Sequence, residues 1–403
     1  MRRVLAISVV AMGMLGGCAA SDGTFGGDVA FLEKHTDVIV LSDAAGRAKV
    51  AVAPAWQGRV MTSTPGGDGG LSLGWIYYDH IASGKIDSHM NAFGGEDRFW
   101  MGPEGGQYAI FFQPGAKFVF ADWQTPAVID TEAYDVVSKS PAEVRFRKAA
   151  KLTNHSGTKF DLRIDRAVRL LSRERAAREL GAAIDPGVQA VVYESDNQIT
   201  NTGKEAWKKE SGLLSIWILS MYNPSPRTTV VIPFVPGPQE QLGRKVNDAY
   251  FGEISPDRLI VKDDRLFFRC DGKSRGKIGL SPKRAKSIAG SYDAANRILT
   301  LVQYNKPAGA TDYVNSMWEL QKHPYAGDVV NSYNDGPTTP GGKPLGPFYE
   351  LESSSPAAAL KPGESIRHIH RTFHFHGPEA ALDAIARKTL GVGLEETRAA
   401  FGT

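Results

Sequence analysis

Tyr349-Glu350-Leu351-Glu352-Ser353-Ser354-Ser355-Pro356 is followed by Leu360-Lys361-Pro362-Gly363-Glu364. Then comes Ile366-Arg367-His368-Ile369-His370-Arg371-Thr372-Phe373-His374-Phe375-His376. This stretch reads as two strands joined by a turn marked with proline and glycine. Side chains along a strand alternate between faces, so Glu350 and Glu352 share one face while Tyr349 and Leu351 take the other. Two neighbouring carboxylates repel, which should raise one pKa toward a value useful to a general acid or base. An edge strand with a solvated acidic face would show the same pattern. In the second strand, four histidines and Thr372 share a face opposite Ile369, Phe373 and Phe375. The expectation is a partly solvated histidine face over a Phe/Ile core face. His-x-His would also suit zinc, but neither a cysteine partner nor a helical histidine pair accompanies it, so no metal is expected.

Working outward, period-2 runs recur along most of the chain. They include Asp37–Leu41, Lys49–Ala53, Tyr108–Phe112, Lys117–Ala121, Glu143–Arg147, Lys159–Ile164, Gln189–Tyr193, Thr228–Pro233, Arg265–Arg269 and Arg297–Gln303. Turns rich in Gly, Pro, Asn and Asp separate them, in keeping with 43 glycines and 23 prolines. Two stretches read as helical. Ser172–Leu180 is capped by Ser172 and stopped by Gly181, and Pro378–Phe401 carries Ala381, Leu382, Ile385 and Leu390 at near-helical spacing. No linker divides residues 36–376. The chain is therefore expected to be all-β, a single large antiparallel β-sandwich over 36–376 with a short helical appendage at 377–403.

The charge balance is near neutral, with 47 Lys+Arg against 44 Asp+Glu. It supplies no electrostatic case for nucleic acid or for a polybasic membrane patch. No P-loop, Rossmann fingerprint, Gly-x-Ser-x-Gly elbow or zinc-helix motif is present, and no cofactor is expected. Of the two cysteines, Cys270 lies in the alternating run Leu266–Cys270 and reads as a buried structural thiol.

Several segments could carry chemistry. His89 to Gln107 gathers two double-glycine turns, His89, Asn91, Glu96, Asp97, Arg98, Trp100 and Glu104. Carboxylates and a guanidinium fork beside an aromatic face suit a sugar, whose hydroxyls take paired hydrogen bonds and whose C–H face takes a ring. A decorated surface loop held by an ion pair from Arg98 to a glutamate would use the same residues. Asp271–Gly279 is a glycine-punctuated run in which Lys277 could neutralise a developing oxyanion or bind an anionic sugar; solvated turn lysines would look alike. Tyr333, Asn334 and Asp335 in Asn331–Pro337 read as a turn and also suit hydroxyl recognition.

At the N-terminus, Arg2 and Arg3 precede an apolar run, Val4–Leu15, too short to span a bilayer. It ends in Leu15-Gly16-Gly17-Cys18, which resembles a bacterial lipobox. That resemblance implies a signal peptide over 1–17, lipidation of Cys18, and a tether over 18–35. Ala19 and Ala20 differ from the aspartate of inner-membrane retention signals, which favours outer-membrane sorting through the lipid anchor.

The opening stretch resembles the end of aldose 1-epimerases (galactose mutarotases). These carry a Leu-Glu-Thr-Gln strand, a proline, Leu-x-Pro-Gly-Glu and a final strand. Leu351-Glu352-Ser353-Ser354, Pro356 and Leu360–Glu364 are similar. The resemblance implies an antiparallel supersandwich over 36–376 and matches Glu352 to that family's catalytic base. The segment from Asn91 through Gly94-Gly95-Glu96-Asp97-Arg98-Phe99-Trp100 to Pro103-Glu104 resembles a stretch of mutarotase-like proteins. The whole chain looks like a bacterial lipoprotein family of unknown function within this superfamily. Two positions depart from the mutarotase pattern. Gly212–Tyr222 has no histidine where those enzymes carry their acid, and Ser354 stands in place of glutamine. The expected function is acid/base processing of a sugar or glycan in the periplasm or cell envelope, of epimerase, lyase or hydrolase type. Glu352 would be the base, with His89 or Lys277 as partner. Asn91, Asp97, Arg98, Trp100, Glu104, Tyr333, Asn334, Asp335 and Glu350 would bind the substrate. The alternative is a glycan-binding lipoprotein without catalysis.

Overall fold

A computed structural model of the chain describes residues 23–339 and 341–402. The leader and Cys18 lie outside the described residues. In chain order the elements are α1 (Phe25–Leu32), β1 (Ile39–Ser42), β2 (Lys49–Ala53), β3 (Arg59–Thr64), α2 (Tyr78–Ser83), β4 (Arg98–Gly102), β5 (Asp135–Ser140), β6 (Glu143–Thr153), β7 (Lys159–Leu170) and α3 (Arg173–Leu180). There follow β8 (Gln189–Asn201), β9 (Ser215–Tyr222), β10 (Thr228–Pro233), α4 (Gln239–Leu242), β11 (Leu259–Val261), β12 (Arg265–Arg269), β13 (Gly276–Leu280), β14 (Ile288–Asp293), β15 (Ile298–Tyr304) and β16 (Val330–Asn334). The chain ends with β17 (Tyr349–Ser354), β18 (Ser365–His376), α5 (Glu379–Leu390) and α6 (Leu394–Ala399).

The strands form three antiparallel sheets. A ten-stranded sheet has the order β11-β12-β10-β14-β15-β18-β8-β7-β6-β5, a five-stranded sheet the order β13-β16-β17-β9-β4, and β1-β2-β3 a small third. The two larger sheets stack. Phe99, Ile216 and Ile218 from the smaller meet Ile164, Val191 and Ile199 from the larger in one cluster. Leu351, Ile278 and Val330 meet Val230, Phe268 and Val302 in another. The other face of the ten-stranded sheet is covered by helices: Phe373, Phe375, Leu299 and Leu301 pack with Leu382, Ile385 and Leu390 of α5. The all-β antiparallel supersandwich with a short C-terminal helical appendage is thus what the sequence led one to expect.

Three local expectations need correction. The histidine face of β18 is not solvated. His368, His370, Thr372 and His374 are all buried between the sheets, and Phe373 and Phe375 are buried beneath the helices. Polar partners from other strands make that interior position tolerable. Ser353 Oγ lies 2.7 Å from His368 Nε2 and 2.8 Å from His370 Nδ1. His374 bridges Thr300 Oγ1 at 2.8 Å and Glu96 Oε2 at 3.0 Å. Second, the segment read as tether is folded from residue 23 onward. Thr24 caps α1, and Phe25 and Leu32, two turns apart on one helix face, are buried. Third, Tyr108–Phe112 and Lys117–Ala121 are not strands; an isolated bridge joins Phe112 to Trp123. Their backbone groups bond to scattered partners and not to one neighbouring strand: Ala109 N to the Gly106 carbonyl, Ile110 N to the Pro103 carbonyl, and the Ala109 and Phe111 carbonyls to His155 N and Gln124 N.

The helix readings were closer. Ser172 accepts from Arg175 N, and Gly181 closes α3 at φ 66°. The C-terminal stretch breaks in two at Gly391, whose φ of 73° ends α5. Cys270 is fully buried beside Ser332, and burial pushes its thiol pKa up.

Candidate functional site

Register in the five-stranded sheet assembles the site. Arg98 pairs with Leu219, Leu219 with Glu352, and Glu352 with Asn331. One pleat away, Met221, Glu350, Tyr333 and Lys277 form a parallel row, and Trp100, Trp217 and Ser354 form a third. Paired residues point to the same face. Arg98, Trp100, Trp217, Glu350, Glu352, Tyr333 and Lys277 therefore share the face turned away from the other large sheet. Gly279 pairs with Asn331 in the first row, where a Cβ would come within 2.3 Å of Asp328 Oδ2 and 2.4 Å of Asn331 Nδ2.

Loops wall this face into a cleft of about 770 Å³, within the usual range of ligand pockets. Its aromatic lining includes Trp123, Trp217, Trp318, Tyr250 and Phe251, and its acids include Glu104 and Asp328. Lys277 Nζ donates to Glu352 Oε2 at 2.9 Å, and Trp217 Nε1 donates to the same oxygen at 2.9 Å. The ammonium lies 4.8 Å from the Trp217 ring and 5.5 Å from the Tyr250 ring. Arg98 forms a buried ion pair with Glu350, and its guanidinium sits 5.2 Å from the Trp100 ring. Trp318 Nε1 donates to Glu104 Oε1 at 3.2 Å. Tyr250 donates to Asp328 at 2.6 Å and Tyr333 to Asp335 at 2.8 Å.

The electrostatics favour proton-bearing acids. Burial raises the Glu350 pKa to about 7 although Arg98 pulls it down, and the Glu352 charge adds to the rise. Burial also raises Glu104, against the pull of Lys277 and Trp318 and with the help of Glu352. Burial opposes the Lys277 charge, but Glu352, Glu104 and Glu350 outweigh it and hold that pKa above the ordinary lysine value. The Glu104 and Glu352 carboxyls therefore both lie within electrostatic reach of the Lys277 ammonium. Several buried polar atoms on the cleft face have no protein partner: Glu352 Oε1, Arg98 Nε, Trp100 Nε1, Ser215 Oγ and Trp123 Nε1. Buried polar groups are nearly always satisfied, so these atoms hold unmet hydrogen-bonding capacity beside the cleft.

Of the residues singled out from sequence, Glu352, Lys277, Glu350, Arg98, Trp100, Glu104, Tyr333 and Asp335 come together. Four do not join them as expected. Asp97 is one residue out of phase with Arg98, so it points between the sheets and forms a fully buried pair with Arg166 at 2.7 Å. Asn91 is a strut, its amide bonded to Asp130 Oδ2 at 2.8 Å and to the Asp87 carbonyl at 3.0 Å. Asn334 is buried and ties down the 272–274 turn through Gly272 N and the Ser274 carbonyl. His89 donates from Nδ1 to the Trp123 carbonyl at 2.5 Å and stacks on Phe120 at 4.5 Å. It buttresses the cleft wall beside Phe120 and Trp123. Trp123, Trp217, Trp318, Tyr250, Phe251 and Asp328 were missed. Trp217 alone left a usable sign, a large aromatic in an apolar strand-like run.

Fold and cleft together define an antiparallel β-supersandwich with one polar, aromatic-walled cleft on the outer face of its five-stranded sheet. The Slr1438 protein from Synechocystis sp. PCC 6803 shares this fold, with a TM-score of 0.50, 11% identity, and coverage of 85% of this chain and 96% of that one. A putative aldose 1-epimerase from Escherichia coli K12 is similar at TM-score 0.48 and 13% identity, covering 85% of this chain and 99% of that one. A putative mutarotase from Salmonella typhimurium is similar at TM-score 0.49 and 10% identity, covering 86% and 92%. No curated protein matches the chain by sequence. The chain belongs to the family of unknown function DUF6786, whose model matches residues 23–401.

Proposed function

We propose that this is an envelope-anchored, carbohydrate-active lipoprotein that performs acid/base chemistry on a sugar or glycan in the cleft. The observation that carries the reading is the pair of carboxyl groups beside one ammonium. Glu104 is held in a setting that favours its protonated form, while Glu352 faces the Lys277 ammonium and the Trp217 N–H, which are the partners of a carboxylate. Glu352 Oε1, buried and unpartnered, is the lone pair that would accept a proton from the sugar. Glu104 would deliver a proton to a sugar oxygen, and Lys277 would offset negative charge developing there. Trp217, Trp318 and Tyr250, which line the cleft, would hold the ring in place, with Arg98 and Trp100 supporting the floor beneath it. Glu104 thus takes the role that the sequence had suggested for His89.

The test is a panel of free aldoses, uronates and oligosaccharides followed by NMR, with binding measured in parallel. Glu352→Gln and Glu104→Gln should abolish turnover and spare binding. Full turnover in Glu352→Gln would refute the assignment. One observation favours the alternative of a non-catalytic glycan-binding protein: Glu352 Oε2 is already engaged twice in a fully buried setting. Binding without turnover in the wild-type protein would decide for it.

A further inference from the structure

We infer that the cleft takes an extended glycan chain rather than one free sugar, and that a second groove over Trp75 and Tyr77 is a distal subsite of the same track. The inference rests on the carbohydrate reading above. Aromatic faces stand at both edges of the five-stranded sheet. At the β4 edge, Trp123 stacks on Phe111 at 5.9 Å, on Trp318 at 5.8 Å and on Phe120 at 6.0 Å. Toward the β13 edge, Phe251 lies 5.9 Å from Tyr333 and carries the Arg275 guanidinium 3.7 Å above its ring. Phe120 and Phe251 both line the cleft yet remain 63% and 46% exposed. Rings open to the cleft at that exposure offer surface on which the C–H face of a sugar ring can lie. Interstrand steps of about 4.8 Å separate the edges of a five-stranded sheet by roughly 19 Å, more than one pyranose ring can span.

The track continues beyond the cleft. A second groove of about 460 Å³ is lined by Phe31, Trp75, Tyr77, Tyr78, Asn223 and Leu345. Leu345 lines the main cleft as well. Beneath it ring contacts join the two grooves, Tyr333 to Phe348 at 5.7 Å, Phe348 to Trp75 at 4.7 Å and Trp75 to Tyr77 at 5.4 Å; Phe348 and Trp75 are buried and floor the passage, while Tyr77 and Tyr78 are half-buried in the groove. The exposed Asp79 carboxylate edges this groove, as does the Asn223 side-chain carbonyl, whose Nδ2 already donates to the Ser72 and Gly74 carbonyls; hydroxyls of a chain lying on the rings would need such acceptors. A chain with its reacting unit at Glu104 and Lys277 would thus meet open ring surface at Phe120 and Phe251 in the cleft and at Tyr77 and Tyr78 in the groove.

Isothermal titration calorimetry with the mono- to hexasaccharides of cellulose, xylan, mannan, pectin and alginate tests this. For the series that binds, affinity should rise by about tenfold or more from disaccharide to hexasaccharide. Tyr77→Ala should flatten the rise between tetra- and hexasaccharide. Leu345→Trp, which fills the passage between the grooves from a half-buried position, should do the same without loss of circular dichroism signal. A monosaccharide that binds as tightly as the hexasaccharide would overturn the inference and leave the carbohydrate reading standing. A rise that survives both variants would remove the second groove from the track. If no saccharide binds, both the inference and the reading beneath it fail.

Discussion

Acid should unfold this protein through two histidines that never touch solvent. His368 and His370 are fully buried between the sheets and share the Ser353 hydroxyl. One hydroxyl has one hydrogen, so Ser353 donates to one ring and accepts from the other. His368 Nδ1 and His370 Nε2 have no partner that could take a new proton. Burial therefore lowers His368 to about 3, with His370 adding to the effect. Burial lowers His370 to about 4, with Arg166 also lowering it and Asp97 working against the shift. Their unfolded values lie near 6.5. Between pH 6.5 and about 4 the unfolded chain binds these protons and the folded chain does not. The stability is complete above pH 6.5 and is lost as pH falls toward the folded values.

At pH 5 each histidine costs on the order of 2 kcal/mol, and the pair about 4 kcal/mol. That is a large share of the ~5–15 kcal/mol of a typical fold. Urea denaturation followed by tryptophan fluorescence, at half-unit steps from pH 7 to 4.5, measures it. His368→Asn and His370→Asn should each start less stable at pH 7, because a buried hydrogen bond is disturbed. Each should also show a pH slope shallower by about 1.4 kcal/mol per unit, the value of one proton. The carboxylates contribute to the slope in every variant, so the difference between proteins is the diagnostic quantity. Slopes that coincide across wild type and variants, or an NMR titration placing either ring near pH 6.5, would refute the reasoning.

Other outcomes follow from the same structure. Glu350, raised to about 7, carries the opposite sign: its contribution is complete below the unfolded value near 4.3 and is lost as pH rises through 7. A glutamate carboxyl carbon titrating near pH 7 by NMR should vanish in Glu350→Gln. Phe375→Ala, beneath α5, should cost about 3–5 kcal/mol in urea denaturation. Asp97→Asn breaks a fully buried pair with Arg166 and should cost about 3–5 kcal/mol, yet leave saccharide affinity in the folded protein within about twofold, because it lies on the other face of the sheet. Cys18→Ala should abolish incorporation of labelled palmitate and release the protein into the periplasm; equal labelling of the variant would remove the lipid anchor.

Alternation tells which side chains share a face but not what covers that face. Glu350 and Glu352 could be assigned to one side of β17 from sequence alone, and the structure keeps them there. The same rule separated the histidines of β18 from Phe373 and Phe375. It could not show that both sides are buried, because the groups that satisfy the histidines are Ser353, Thr300 and Glu96, up to 278 positions away. A histidine row facing water and one facing buried hydroxyls look alike in one strand. The site shows the same division. Glu352, Lys277 and Arg98 stood out because each lies in a locally unusual segment. Tyr250 and Trp318 lie in loops without a local signature and acquire meaning only through tertiary packing, while Trp217 offered no more than a large aromatic in a strand. Asp97 marks the finer limit. Read as part of a loop, it belonged with Arg98. Once β4 begins at Arg98, the pleat sends neighbouring side chains to opposite sides, and Asp97 goes to Arg166 in the interior. The error was one of secondary structure before it was one of function, because reading a strand here instead of a loop would have set Asp97 opposite Arg98 without any coordinates.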